Sequence, residues 1–383
     1  MPSIITTGAG SARGWGWAAT IAASGPVAFG SLWAVGNNSS GRLATTLSTA
    51  NLIQIGTLTN WQFTQSNYAT QAPGSVKTDG TLWTWGQSTS GALGNSSSYP
   101  PISSPIQIGA LTNWLSVSSG YVSAGNKVAV KTDGTLWGWG LNSSGQLGLG
   151  NVTSYSSPVQ IGVLTNWASV STTGALTGAV KTTGSLWAWG TNSSGQLMLG
   201  NQTNYSSPKQ IGALTNWKTV STFDSFTIAV KTDNTLWGGG NGSSGQLGLN
   251  NRTNYSSPKQ VGSLTNWSSA FACPYNAIGV KTDNSMWTWG YNANGQVGLG
   301  NTSYYSSPKQ VGSLTNWYTS SKINQYTGQF IKTNGAMYAC GENNFKQTGL
   351  TNTTQYSSPV QVGSLTNWST PNGAYQVGMW IRN

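Results

Sequence analysis

The side chains of this chain that could do chemistry are few, and most of them recur at a fixed interval. Lys77, Lys131, Lys181, Lys231, Lys281 and Lys332, with Arg382 closing the series, form a set of cations that could cradle an anion. Asp79, Asp133, Asp233 and Asp283 stand two residues after four of them, so pairing within a turn is the simpler expectation. Lys209, Lys259 and Lys309 follow Ser-Ser-Pro in three consecutive repeats. They read either as a basic sector on an outer rim or as edge lysines that guard against strand pairing. Asp224 and Glu342 are the only other carboxylates of the sequence, and the paired acids of a glycosidase are not visible. The chain has no histidine. That removes the commonest general base and metal ligand, and no Ser-His or Cys-His nucleophile can be assembled. Cys273 and Cys340 occupy unlike positions of their repeats, form no CxxC pair and read as buried thiols. The expectation is a protein without enzymatic activity, metal or cofactor.

The elements that position these residues follow from the repeat. Leu-Thr-Asn-Trp ends at Trp61, Trp114, Trp167, Trp217, Trp267, Trp317 and Trp368, at intervals of 53, 53, 50, 50, 50 and 51 residues. A second phrase, Lys-Thr-Asp-Gly-Thr-Leu-Trp-Gly-Trp-Gly at residues 131–140, recurs around Trp33, Trp83, Trp187, Trp237, Trp287 and Tyr338. Its Asp-Gly lies between short β-forming runs, which signals a hairpin. A Gly/Ser/Asn-rich loop and a short strand opened by Pro follow, and a strand after Asn-Trp completes four per unit. Four strands repeated seven times predict an all-β, closed seven-bladed propeller. Counting 14 residues from Trp167, Trp217 and Trp267 reaches Lys181, Lys231 and Lys281, and the same count from Trp368 reaches Arg382. The last blade is therefore expected to be shared: inner strands from the C-terminal end, outer strands from the region between Leu32 and Ile55. Residues 31–383 form the propeller and residues 1–30 an N-terminal arm, which makes a poor signal peptide and is expected to stay attached.

Composition agrees with a neutral, aromatic scaffold. Charged residues are 6% of the chain, while 20 Trp and 15 Tyr supply apolar surface. The net charge of +11 arises from 17 basic residues against 6 acids, so it reflects missing carboxylates more than a basic cluster and does not point to nucleic acid. No run of about 18 or more apolar residues occurs, which excludes a helical membrane span. Seventeen of the 20 tryptophans belong to the two repeated phrases and read as packing between blades. Trp15, Trp17 and Trp380 are the others.

The run Trp-Gly-x-Asn-x-x-Gly-Gln-Leu-Gly-x-Gly-Asn at residues 139–151, seen again from Trp189 and Trp289, is similar to the signature of the regulator of chromosome condensation repeat family. The resemblance covers residues 32–383 and implies a rigid seven-bladed disc that presents loops to a protein partner. It does not fix the function. The family's Cys-Gly and His-Thr elements are replaced here by segments such as Val117-Ser-Ser-Gly and Val170-Ser-Thr-Thr, and the acidic loops of a nucleotide-exchange face are absent. The arm segment around Arg13, Trp15 and Trp17 resembles short Gly-Ala-x-Ser-Ala-Arg-Gly-aromatic-Gly stretches of bacteriophage tail and appendage proteins.

Between each Asn-Trp and the next Lys-Thr-Asp the repeats diverge, and in an up-and-down blade these connections emerge on one face. Tyr121, Phe223, Phe226, Tyr275 and Tyr326 are the aromatic candidates for a recognition surface there. Neutral drift of loops explains the divergence equally well. The leading expectation is a bacteriophage virion component, a tail or head appendage within a homo-oligomeric assembly. Its arm, through Arg13, Trp15 and Trp17, docks on other virion proteins while the disc meets a host protein or glycan. The alternative is a cellular or secreted protein-binding propeller of inhibitor or exchange-factor type. A nucleic-acid binder is a third reading, marked by steep salt dependence.

Overall fold

Strands form where the repeat interrupts β-forming runs with a residue able to take positive φ. In the Lys-Thr-Asp turn that residue is Gly80, Gly134, Gly184 or Gly335, with φ between 76° and 78°, or Asn234 or Asn284, with φ of 61°. Gly and Asn enter this region most readily. Around the turn, Asn126–Lys131 and Leu136–Gly140 pair antiparallel, and the Gly134 N–H donates to the Lys131 carbonyl at 2.9 Å.

The computed structural model describes residues 29–36, 49–62, 72–97, 100–120, 125–318, 322–371 and 377–382. Among them the regular elements are β-strands, apart from a single 3-10 turn at Thr89–Gly91. A representative sheet holds Trp217–Phe223, Phe226–Lys231, Leu236–Gly240 and Tyr255–Gln260 in sequence order, antiparallel at each step. Five sheets have four strands and a sixth has eight, each packed on the next. This is an all-β propeller with four-stranded antiparallel blades.

Six separate sheets stand where the repeat count predicts seven blades, and the difference has a local cause. The eight-stranded sheet contains Trp368–Pro371, Val377–Arg382, Phe29–Gly36 and Thr49–Gln54 on one side, and Trp61–Gln62, Gly74–Lys77, Leu82–Gly86 and Ile102–Gln107 on the other. Phe29 and Gly30 pair with Gln62 and Trp61 and fuse the two sets. Elsewhere the corresponding contact is one hydrogen bond from a tryptophan N–H to a turn carbonyl, as from Trp114 to Gly80 (3.1 Å) and Trp217 to Gly184 (2.9 Å). Residues 29 and 30 are extended strand where the other repeats turn, so a second residue pair turns the contact into a ladder. Ser31–Gly36 in turn pairs residue by residue with Arg382–Val377, which joins the two ends of the chain.

Indoles fill the space between strands and sheets. Trp85, Trp139, Trp189 and Trp289 are fully buried. The Asn-Trp indoles stand edge-on to both rings of the second phrase, as Trp167 does to Trp187 and Trp189 at 5.8 and 6.1 Å. Three of the fully buried indoles, Trp139, Trp189 and Trp289, lie against a glycine of the preceding loop: a Cβ on Gly148 would meet Trp189 Nε1 at 2.7 Å. In one repeat Gly239 replaces the indole, and Met198, at φ 57°, replaces the loop glycine and occupies the vacated volume.

Candidate functional site

The repeated cations come first, because their surroundings decide whether they are available. Lys77, Lys131, Lys181, Lys231 and Lys281 are buried at 4% to 7% exposure. Each ammonium lies over the first tryptophan of the second phrase: Trp83, Trp137, Trp187, Trp237 and Trp287, at 3.5, 3.8, 4.0, 3.9 and 3.7 Å. The Asn-Trp ring lies on its other side at 4.6 to 5.3 Å. The expected turn pairing is therefore corrected. Trp114 is opposite Lys131 in register and Trp137 is opposite Ala129, so the lysine shares a face with both indoles. Desolvation lowers the pKa of these lysines, and the aspartates only partly oppose it in four of the five. Asp133 instead accepts from the Thr135 N–H (2.9 Å) and hydroxyl (2.6 Å), which in turn accepts from Trp137 Nε1 at 2.9 Å. These five lysines clamp aromatic rings, which leaves their ammonium groups committed inside the sheets.

A different lysine, Lys127, stands where the next two repeats carry Thr177 and Thr227. It is fully buried, and its ammonium donates to the carbonyls of Ala72 (2.8 Å) and Ala92 (2.7 Å) in the neighbouring sheet. Thr177 and Thr227 make the same cross-sheet bond to the carbonyls of Gln146 and Gln196, each at 2.8 Å. Lys127 is a structural latch. Among the described residues no group of three or more His, Cys, Asp or Glu could hold a metal ion, and no helix is long and apolar enough to cross a membrane.

The divergent connections do lie beside the start of the long loop. Thr191 N donates to Ala175 O, Asn241 N to Ser225 O and Tyr291 N to Tyr275 O, each at 2.8 Å. The Lys-Thr-Asp turns lie at the other end of the strands, where Thr132 N donates to Asn113 O at 2.9 Å. Of the five aromatic candidates, Phe223 and Phe226 are corrected to core residues, at 3% and 1% exposure. The strands run to within two residues of each other there, so both rings sit on strand ends and pack between sheets. Tyr326 is half-buried and Tyr275 is exposed at 47%. Tyr121 lies outside the described residues, as do Arg13, Trp15 and Trp17.

Tyr275 belongs to a cluster. Its ring centroid is 6.1 Å from that of Tyr291, which is 4.8 Å from that of Tyr304. Tyr304 is exposed at 40%. Burial, then a hydrogen bond with Tyr304, raises the Tyr291 phenol pKa. The exposed Arg252 comes from the preceding sheet, with its guanidinium 6.0 Å from the Tyr304 ring. It arrives there because each long loop is tied to the next outer strand: Asn250 N donates to Ser306 O at 2.7 Å, as Gly200 N does to Ser256 O.

Among the described residues no other repeat carries aromatic residues at all three corresponding positions. Tyr275 aligns with Gly125, Ala175, Ser225 and Tyr326; Tyr291 with Leu141, Thr191, Asn241 and Glu342; Tyr304 with Gln355 and with Ser154, Asn204 and Asn254. The last three cap the loop, accepting from the N–H of Asn142 (3.1 Å), Asn192 (2.7 Å) and Gly242 (3.0 Å). Tyr304 replaces that acceptor with a ring leaning on Tyr291. Functional sites are among the places where a scaffold breaks its own local rules, which makes this cluster the candidate site. Reading the divergent connections alone finds Tyr275. Aligning the repeats position by position is the signal that finds Tyr291, Tyr304 and Arg252.

Comparison with known proteins gives the setting. The model of the Regulator of chromosome condensation (RCC1) repeat matches residues 79–124, 133–180, 183–230, 233–276 and 283–323, more than half of the chain. The probable E3 ubiquitin-protein ligase HERC3 of Homo sapiens is 32% identical over 92 residues, 24% of this chain and 8% of HERC3. The ultraviolet-B receptor UVR8 of Arabidopsis thaliana is 37% identical over 89 residues, 23% of this chain and 19% of the receptor. The chain thus matches less than a fifth of the length of these relatives. Yeast RCC1 (Prp20), solved in complex with Kap60, superposes with a TM-score of 0.78 at 14% identity, covering 99% of this chain and 97% of that one. At that identity the likeness shows the fold alone.

Proposed function

Because the chain belongs to the regulator of chromosome condensation (RCC1) repeat family, we propose that it is a protein-binding propeller without chemistry of its own, whose recognition surface is the Tyr275–Tyr291–Tyr304 patch with Arg252. In this reading the eight-stranded sheet works as two blades joined by a two-residue bridge, giving seven. The observation that carries the proposal is the convergence of three tyrosines, a combination that no neighbouring repeat carries, onto one partly exposed cluster. Tyrosine and arginine dominate the energetics of protein interfaces because they bring large, stiff contact area with a polar tip. The absence of histidine from the sequence and the lone placement of Asp224 and Glu342 support a binding role over catalysis. A virion appendage would draw on Arg13, Trp15 and Trp17, which lie outside the described residues. The human and Arabidopsis relatives support the cellular alternative instead.

The test is site-specific photo-crosslinking in the cells that make the protein. A benzophenone amino acid in place of Tyr304 should yield a discrete covalent adduct with another protein, weakened at least fivefold by Tyr291→Asn. The same group in place of Thr132, at the opposite end of the strands, should not. Equal adducts from both positions, or an adduct indifferent to Tyr291, would refute the assignment.

A further inference from the structure

The chemistry of the partner can be taken one step further, resting on the reading of the tyrosine patch as a protein-binding surface. Arg252 occupies a position held by Val152, Gln202, Thr302 and Thr353 in other repeats, so no packing rule of the loop requires a cation there. The outer strands Tyr205–Gln210, Tyr255–Gln260 and Tyr305–Gln310 carry exposed Lys209, Lys259 and Lys309, each ammonium 5.3 to 5.7 Å from the ring of the tyrosine that opens its strand. The same edge position is Ile106, Val159 or Val360 in three other sheets, which keep the same Ser-Ser-Pro edge. A lysine is therefore not needed to blunt the edge, and its recurrence in three consecutive sheets makes a basic sector.

Basic residues outnumber the carboxylates here. Asp233 and Asp283 are held in the turns at the far end of the strands, by Thr235 and Ser285. On the loop side stand Asp224 and, in the sheet after the tyrosine patch, Glu342, against Arg252, Lys209, Lys259 and Lys309. Tyr304 directly precedes its outer strand, and Lys309 lies five residues along it, roughly 16 Å at about 3.3 Å per residue. Pro308 removes an edge N–H, so a segment lying along this rim is read by its side chains and not added as a strand.

We propose that the partner presents an extended acidic segment, with an aromatic or leucine side chain seated on Tyr275, Tyr291 and Tyr304 and carboxylates running past Arg252 towards Lys259 and Lys309. Charge complementarity selects the acidic character, and the tyrosines select the apolar anchor.

The experiment is a selection of displayed random dodecapeptides on three full-length proteins: wild type, Tyr275→Ser/Tyr291→Asn/Tyr304→Asn, and Arg252→Gln/Lys259→Val/Lys309→Val. Each variant carries residues that neighbouring repeats already use, so folding is retained, and circular dichroism checks it. Wild type should enrich peptides that combine Asp or Glu with an aromatic or leucine residue. That enrichment should drop at least tenfold on either variant, and binding of the leading peptide should weaken steeply with added salt. Enriched peptides without acidic bias, lost on the tyrosine variant but kept on the charge variant, would overturn the acidic partner while leaving the protein-binding patch standing. Equal enrichment on all three proteins would overturn both. Retention of heparin by wild type, lost on the charge variant, with no peptide enriched would also overturn the proposal, in favour of an anionic glycan.

Discussion

Met198 and Gly239 form a matched pair whose energetics can be worked from the packing. In neighbouring repeats an inner tryptophan lies against a loop glycine and donates across the sheets: Trp189 Nε1 to Gln146 O at 2.9 Å, Trp289 Nε1 to Gln246 O at 2.8 Å. At Gly239 a Cβ alone would fall 2.5 Å from Met198 Cγ. Gly239→Trp therefore drives an indole into an occupied core, an overpacking expected to cost about 2 kcal/mol or more. Met198→Gly empties the site of a side chain exposed by only 2%, a loss of about 3 kcal/mol. Relief of the positive φ at residue 198 returns about 1 kcal/mol of that. Together the two changes rebuild the arrangement of the neighbours, with Gln196 O placed to receive the indole N–H. The double variant should lie within about 1 kcal/mol of wild type, where adding the singles gives a loss of about 4, so the coupling is about 3 kcal/mol and favourable. Urea unfolding of the four proteins measures it. Additive losses would refute the claim that these two residues share one volume.

Burial pulls the Lys127 pKa from 10.5 to about 7, so between those values the unfolded chain holds a proton that the folded chain lacks. Stability should therefore rise with pH across that window, by up to about 1.4 kcal/mol per pH unit from this group, and level off above 10.5. Lys127→Met should remove that part of the slope, and parallel wild-type and variant curves would contradict the assignment. Hydrogen bonds from Thr81, Thr135, Thr235 and Ser285 hold Asp79, Asp133, Asp233 and Asp283 below the usual carboxylate range. Their contribution is present above the unfolded value near 4 and is lost as pH falls below it, so Asp133→Asn should flatten the acid limb of the stability curve. Asn334 already fills this position in one repeat, where its side chain accepts from Ala336 N at 3.1 Å. Cys273 and Cys340 are fully buried, and burial raises the Cys340 thiol pKa, so a thiol reagent should label both only after unfolding. Rapid labelling of the native protein would show the core to be open.

The fold was largely legible because its signals are local and repeated. Asp-Gly between β-forming runs fixes a hairpin, and four strands per unit with fixed spacing fix the blade. The pairing of Ser31 with Arg382 followed from counting residues to the end of the chain. The sheet count was not legible, because it turns on whether residues 29 and 30 continue a strand or turn. Nor were the partners of the lysines: Asp133 is two positions after Lys131, yet strand alternation aims the lysine at indoles that lie 17 residues before it and six after it. Phe223 and Phe226 looked like loop residues because their repeats diverge there, whereas the strands extend up to them and leave only a two-residue turn. Tyr291 and Tyr304 were hidden in a stretch whose overall pattern repeats. Their meaning lies in how one repeat differs from the rest.

The separation of stability from binding at the tyrosine patch is the most direct measure of this account. Tyr275→Ser/Tyr291→Asn/Tyr304→Asn restores the residues of the preceding repeat, including an asparagine able to cap the Asn292 N–H, as Asn204 caps that of Asn192. Thermal unfolding and partner binding are measured on the same preparation. The melting temperature should hold or rise, by the equivalent of about 0.5 to 1 kcal/mol, while binding falls at least tenfold. A variant that melts markedly lower and binds its partner as before would show the tyrosines to be packing and the recognition surface to lie elsewhere.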